Sequence, residues 1–347
     1  MRFRILLSSI YFLIIFCPVH VLAQPSTAGI LWERYKSSFV QKDGRVIDKH
    51  QSGVSHSEGQ GYGMLNSVYY NDRAAFDAIW RWTQDNMQSR KDNLLPWSWG
   101  KRYNGQWGVI DYNNATDGDI LVAYALLNAA GRWNEPTFRQ HGLKIIEGLR
   151  NNLFVQYDGK SYLLPAYFGF QKEDELVLNP SYLIFPAYRL FSEVDNKPFW
   201  DNIYRDSLLI IKKASFGKMK LTPDWVIVRK TGISIWEERA PLFGYESIRT
   251  ILYLSWEKKP AFPEGLNELL KFYEKNGYLP VNVDLIKNQV SIEEAPSGFY
   301  AVYARAAEKI GRKDLGRLLL KKALEKAESE KDNYYSMSLL LLALYER

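Results

Sequence analysis

The chain has 347 residues, of which 46% are hydrophobic, 15% aromatic and 24% charged, a balance that excludes a disordered or collagen-like protein. Its formal charge of +6 is spread among both signs with no basic stripe, so there is little counterion-release drive toward nucleic acid. Folded as one unit, a chain of this size removes roughly three quarters of its unfolded surface from water, so core size is no obstacle.

The first predicted element is an export signal over residues 1–23. Arg2 and Arg4 precede an apolar run from Ile5 to Phe16, and Val21-Leu22-Ala23 before Gln24 supplies a small-residue cleavage site. The run stops at Pro18, short of the roughly 20 residues that a membrane span requires. The expectation is a cleaved, secreted or periplasmic protein with no membrane attachment and a single domain over 24–347. The only cysteine, Cys17, falls inside the signal, behind the bulky Ile14-Ile15-Phe16 instead of a lipoprotein-type site. The mature chain therefore forms no disulfide and has no thiolate nucleophile or Cys-ligated zinc.

Beyond the signal no Pro/Ser linker or low-complexity tract marks a boundary, and helical periodicity dominates. Six amphipathic, charged segments read as outer helices: Leu31 to Val40, Arg73 to Met87, Thr137 to Leu153, Phe199 to Lys213, Glu264 to Lys275 and Lys313 to Glu328. Six segments almost free of charge beyond their first turn alternate with them: Tyr62 to Tyr69, Asp119 to Ala130, Tyr182 to Phe191, Ser247 to Trp256, Phe299 to Ala307 and Tyr335 to Tyr345. A helix that is apolar all round is buried. Six outer–inner pairs predict an all-α fold closed into an (α/α)6 barrel; an irregular helical array is the alternative. Trp225 to Arg229 and Ser161 to Leu164 read as hairpins in loops.

The chemistry-bearing residues stand just before the inner helices. Ser57-Glu58-Gly59-Gln60-Gly61 brings a carboxylate and permissive glycines to a helix start; the competing reading is a cap for that helix. Thr116-Asp117-Gly118-Asp119 opens the second inner helix, where Asp is by itself more often a cap than a catalyst. A metal-binding reading lacks a third ligand, and His50, His56 and His141 show no metal-ligand spacing. Tyr245-Glu246-Ser247-Ile248-Arg249 opens the fourth, with Glu246 and Arg249 one turn apart, as an ordinary ion pair would also be. In a barrel all inner-helix starts meet at one rim, so Glu58, Asp117 and Glu246 are expected in one cleft. Paired carboxylates at such a site are what glycoside hydrolysis needs; the inverting form places them about 6.5 to 9.5 Å apart to admit a water. No cofactor is required. Trp97, Trp99, Trp107 and Trp225 lie in non-helical stretches and are candidates for stacking on sugar rings, with plugging of the barrel ends as the alternative. An extended Trp97-Ser98-Trp99 would place both indoles on one face.

These residues carry a resemblance to glycoside hydrolase family 8, in particular to the periplasmic endoglucanases that accompany bacterial cellulose synthases. The segment from Ala115-Thr116-Asp117-Gly118-Asp119 through Ala123-Tyr124-Ala125-Leu126-Leu127 to Trp133 resembles the family signature, with Val122 where Ile or Met is usual. Gly44-Arg45-Val46-Ile47-Asp48, Ser57-Glu58-Gly59-Gln60, Trp97-Ser98-Trp99-Gly100, Asn179-Pro180-Ser181-Tyr182, Pro223-Asp224-Trp225 and Tyr334-Tyr335-Ser336 match in order along nearly all the mature chain. The resemblance implies inverting hydrolysis of internal β-1,4 links of a glucan. By it Glu58 matches the general acid, Asp117 the residue that holds and distorts the central sugar, and Tyr245 and Arg249 residues around the attacking water. Tyr182 matches a tyrosine of the cleft. Many members carry Asp in a Tyr-Asp-Ala-x-Arg motif as the general base, and this chain has Glu246 there.

The expected partner is a β-1,4-linked glucan, acted on by a monomer, with association with a cellulose synthase complex as a further expectation. Because Glu246 reaches one methylene further, a non-catalytic glucan-binding accessory protein is the alternative from another class. Hydrolysis of chitosan, xylan or mixed-linkage glucan is the alternative within the same chemistry.

Overall fold

A computed structural model describes residues 26–345; the predicted export signal lies outside the described residues. The helices are α1 (Thr27–Phe39), α2 (Ser57–Tyr69), α3 (Arg73–Met87), α4 (Thr116–Trp133), α5 (Pro136–Asn152), α6 (Phe185–Val194), α7 (Lys197–Lys213), α8 (Ile248–Ser255), α9 (Gly265–Asn276), α10 (Ser297–Lys309), α11 (Lys313–Ala327) and α12 (Tyr334–Leu344). The even-numbered helices form the inner ring, each packing on the next, and α12 returns to α2 to close it. This is the (α/α)6 barrel that the alternation of charged and uncharged helices predicts.

The reason for the division is visible in burial. Every α2 residue from Ser57 to Tyr69 except Glu58 is buried, and so is every α4 residue from Thr116 to Leu127. Leu339, Leu340, Leu341 and Leu342 of α12 are all inaccessible to solvent, a run that a surface helix could not carry; each fully buried leucine contributes roughly 1.5–3 kcal/mol. The outer helices bury one stripe only, as Ile145, Ile146 and Leu149 do in α5.

One inner helix departs from expectation. Residues 180–182 form a separate 3-10 turn capped by Asn179, and α6 begins at Phe185 with a proline in its first turn. Pro186 lacks the N–H that a continuous helix from Tyr182 would need, so the chain restarts.

The barrel has two unlike ends. Connections from inner to outer helix are short, whereas those from outer to inner carry all the strands among the described residues. These include a three-stranded sheet of Ser55–His56, Pro96–Lys101 and Trp107–Asn114, and a four-stranded sheet of Gln171–Lys172, Glu175–Leu178, Val226–Arg229 and Gly232–Ile235. The predicted strand at Ser161 to Leu164 is a hairpin partner, Lys160–Leu163 pairing with Phe154–Tyr157. The long connections therefore surround the end of the barrel at which inner helices start.

Candidate active site

The starts of α2, α4 and α8 carry no side-chain cap hydrogen bond, while Ser26, Asp72 and Asn196 cap the outer helices α1, α3 and α7. Glu58 is thus not spent as the cap of α2, whereas Asp117 Oδ1 accepts from the Gly118 backbone nitrogen at 2.9 Å and so serves the start of α4 as well as the cleft. Their helices are pressed together at this end. A Cβ on Gly118 would lie 2.8 Å from the Glu58 backbone nitrogen and 2.1 Å from Ser57 Oγ, so only glycine lets α4 approach the turn that presents Glu58.

Arg249, on the first turn of α8, is the point on which the acids converge. It is 2% exposed, and its Nη1 contacts both Glu58 and Asp117 Oδ2, the latter at 2.9 Å. Nη2 contacts Glu246 and donates to Ser181 Oγ at 2.9 Å. Three carboxylates from three separate inner-helix starts, distant in sequence, are gathered on one buried guanidinium. Asp117 is enclosed, whereas the side chains of Glu58 and Glu246 retain 20% and 35% of their exposure.

The elements behind Glu246 fix its reach. Asp224 Oδ1 accepts from the backbone of Gly244 at 3.0 Å and of Ser247 at 2.8 Å, and from Ser247 Oγ at 2.5 Å, which pins the turn that carries Glu246. Asn179 Nδ2 donates to Glu246 Oε2 at 3.0 Å. Asn179 is itself immobile, since its Oδ1 accepts from Ser181 N at 2.9 Å and Ser181 Oγ at 2.7 Å. Both ends of the Glu246 side chain are therefore held.

Burial raises the Glu246 carboxyl to about 8, with the charges of Asp224 and Asp117 adding to the effect. Asp117 is also pushed up, to about 7, by burial, against hydrogen bonds from the Gly118 and Asp117 backbone and from Tyr182. The Tyr182 phenol is raised by its burial and by the neighbouring Asp117, so it stays a donor. Asp117, Asp224 and Glu246, crowded around one guanidinium, thus tend to retain protons.

A cleft of about 360 Å³ opens above this cluster, lined by Glu58, Asp117, Glu246, Arg249, Tyr182, Tyr245 and Trp97 together with Asp48, His56, Tyr334 and Tyr335. Trp97 stacks on His56 at 5.7 Å with the rings 3° apart, and its Nε1 donates to Asp111 Oδ2 at 2.8 Å. Asp48 reaches the cleft on a segment that Gln60 holds, its Oε1 accepting from Val46 N at 2.7 Å.

The other three tryptophans stand apart from this lining. Trp99 packs edge-on against Trp82 of α3 and stacks on Trp107, with the Arg45 guanidinium over both. Residues 96–101 alternate between buried and less buried positions, with Trp97 and Trp99 both on the less buried side; Trp97 lines the cleft while Trp99 packs on Trp82 and Trp107. Trp225 is nearly buried, stacked on Phe170 and edge-on to Trp236. Asn179, Ser181, Asp224, Asp48, His56, Tyr334 and Tyr335 had no role assigned from sequence. Except for His56, which precedes the Ser57-Glu58-Gly59-Gln60 motif, their signal was position within the matching motifs, without the contacts that explain it.

The model of glycosyl hydrolases family 8 matches residues 5–347. The chain belongs to glycoside hydrolase family 8. An endoglucanase of Cellulomonas uda is 38% identical over 239 residues, 68% of this chain and 66% of that protein. A probable endoglucanase of Novacetimonas hansenii is 35% identical over 327 residues, 93% of this chain and 92% of that one. The solved structure of the endo-β-1,4-glucanase CMCax from Acetobacter xylinum superposes with a TM-score of 0.81 at 32% identity, over 92% of this chain and 97% of that one. As a member of the family, the chain is a glycoside hydrolase.

Proposed function

We propose that this family 8 enzyme is an endo-β-1,4-glucanase that hydrolyses internal links of a glucan with inversion, Glu58 acting as general acid and Glu246 as general base. The observation that carries the reading is the convergence of Glu58, Asp117 and Glu246 on Arg249 beneath an open cleft with Trp97 on its wall. The endoglucanase names of the Cellulomonas, Novacetimonas and Acetobacter proteins support the substrate class.

In this reading a protonated Glu58 donates to the glycosidic oxygen as the bond to the anomeric carbon breaks. Glu246 takes a proton from the water that attacks the opposite face. Asp117 holds the hydroxyls of the central sugar in a distorted ring, with Tyr182 and Tyr245 beside it. Arg249 keeps the acids in register and offsets part of their charge. Trp97 offers an aromatic face to a neighbouring sugar, and Trp99, Trp107 and Trp225 brace the loops that frame the cleft. The protein acts as a monomer outside the cytoplasm, after removal of residues 1–23, and in partnership with a cellulose-synthesising complex.

NMR of products released from cello-oligosaccharides tests the catalytic assignment. Initial release of α-anomers that is lost in Glu58→Gln and Glu246→Gln variants supports it. Binding without cleavage by the wild type would replace it with a glucan-binding role.

A further inference from the structure

In a closed ring of six inner helices the first and the fourth, α2 and α8, stand opposite one another. Neighbouring helix axes lie about 8–10 Å apart, which sets opposite axes roughly 16–20 Å apart, a gap that only long side chains placed end to end can cross. Glu58 of α2 and Arg249 of α8 cross it at the floor of the cleft. Tyr62 of α2 and Tyr253 of α8 cross it below them, their phenol oxygens 3.4 Å apart and both side chains wholly inaccessible to solvent.

The spacing in sequence makes the second pair a support for the first. Tyr62 follows Glu58 by four residues, and Tyr253 follows Arg249 by four. Each tyrosine therefore lies on the same face of its helix one turn, about 5.4 Å, further from the cleft. Arg249 Nε is buried with no hydrogen-bond partner among the described residues. The guanidinium is held at its two outer nitrogens by the acids and Ser181, and rests otherwise on what packs around it. The Tyr253 hydroxyl lies within electrostatic range of Arg249, Asp117 and Glu246. Burial raises the Tyr62 phenol well above its usual range and the Tyr253 phenol to about 12, so the pair stays neutral at working pH. An oxygen–oxygen distance of 3.4 Å is long for two hydroxyls; the contact limits how closely the helices approach more than it draws them together.

The acid and the base stand on opposite sides of this gap, Glu58 on α2 and Glu246 on the turn into α8. Inversion needs their carboxyls about 6.5 to 9.5 Å apart, with room for one water. We propose that Tyr62 and Tyr253 form a cross-barrel spacer that fixes the distance between general acid and general base. Neither lines the cleft, so both are positioning residues. The roles of Glu58 and Glu246 in this proposal rest on the glucanase reading.

The test uses the full mature chain with Tyr62→Phe, Tyr253→Phe and the double variant, which keep the rings and remove the hydroxyls. Tyr303→Phe is the control, because Tyr303 is equally buried on the inner helix α10 and its hydroxyl has no hydrogen-bond partner among the described residues. On cellopentaose each single spacer variant is expected to lower kcat about tenfold, with KM within about twofold of wild type. Two halves of one spacer fail together, so the double variant is expected to lose no more than about threefold beyond the worse single one. Tyr303→Phe keeps the wild-type kcat. An unchanged kcat, a change in KM alone, losses that multiply in the double variant, or an equal loss in Tyr303→Phe overturns the proposal. Carbon NMR titration of the Glu58 and Glu246 carboxyls separates the spacer from the glucanase reading. If the wild type cleaves no cello-oligosaccharide, that reading falls and the titration judges the spacer. Midpoints that move by about half a pH unit in the double variant and not in Tyr303→Phe support it, and unmoved midpoints overturn it.

Discussion

Glu246→Asp is the substitution that tests whether this site is built around the longer acid. Removing one methylene withdraws the carboxylate by about one carbon–carbon bond, ~1.5 Å. In many proteins the backbone would follow and restore the position. Here Asp224 holds Gly244 and Ser247 through three hydrogen bonds of 2.5–3.0 Å, so the turn has no free direction in which to advance. The donor that meets Glu246 cannot advance either, since Asn179 is 1% exposed and bonded to Ser181 through its other atom. The shortened side chain thus leaves Asn179 Nδ2 without its acceptor and sets the carboxylate back from the attacking water.

A displacement of this order costs about a hundredfold in rate, and the expected fall in kcat/KM for Glu246→Asp is of that size, with KM changed less than kcat. Steady-state hydrolysis of cellopentaose reads it directly. Asn179→Ala should reproduce part of the loss through mobility of Glu246, and Glu246→Gln should exceed it because the amide accepts no proton. A Glu246→Asp enzyme with at least half of wild-type activity would refute the reasoning. It would mean that the Gly244–Ser247 turn moves freely or that the base is another group.

Asp224→Asn keeps an oxygen to accept the three bonds but removes a charge that raises the Glu246 carboxyl. A base must be ionised, and its pKa falls when a negative neighbour is lost, so the acid limb of the kcat/KM profile should move to lower pH; an unmoved or upward limb would contradict it. Gly118→Ala forces a Cβ to 2.8 Å from the Glu58 nitrogen, and should destabilise by about 1–3 kcal/mol with a loss of activity beyond that of an equally destabilised variant remote from the cleft. Trp97→Ala should raise KM about tenfold with kcat less affected, as loss of one well-placed ring does in binding sites. Asp119 accepts from Leu95 N and Asn114 Nδ2, each at 2.8 Å; Asp119→Asn sets donor against donor at one of them and should cost about 1–3 kcal/mol in a denaturant melt.

The barrel was legible because burial leaves its mark on every residue of an inner helix. No outer helix could tolerate the sequence of α12, and no inner helix could tolerate that of α11. The acids were legible for a different reason: Glu58, Asp117 and Glu246 each sit at the start of a helix almost free of charge beyond its first turn, where a charge needs a cause. What surrounds them was not legible. Asn179 meets Glu246 across 67 residues of sequence, and nothing local to Asn-Pro-Ser-Tyr distinguishes a turn cap from a donor to a distant acid; Asn179 is both. Trp97 lines the cleft while Trp99 packs on Trp82 and Trp107, a difference that the alternation of residues 96–101 does not give by itself. Local pattern places a residue on an element, and the pairing of elements decides which way it faces.

The charge of the cluster links its architecture to its chemistry. Glu58, Asp117 and Glu246 share one guanidinium, with Asp224 behind them, and full ionisation would leave the group strongly negative at the floor of the cleft. The group meets this by keeping protons, as the raised Asp117 and Glu246 carboxyls indicate. A general acid requires that condition, and a general base requires its relief. The two acids best exposed to the cleft are Glu58 and Glu246, while Asp117 is enclosed. A sugar that enters and hydrogen-bonds Asp117 favours the ionised form of that residue and thereby discourages ionisation of its neighbours. The same coupling acts on Glu246, whose carboxyl the Asp117 charge already pushes up, so in the proposed mechanism the base depends on Arg249 and on the Asn179 donor to be ionised when water attacks. Arg249 is what makes this coupling possible, because removing it would separate the acids and leave buried charge without compensation.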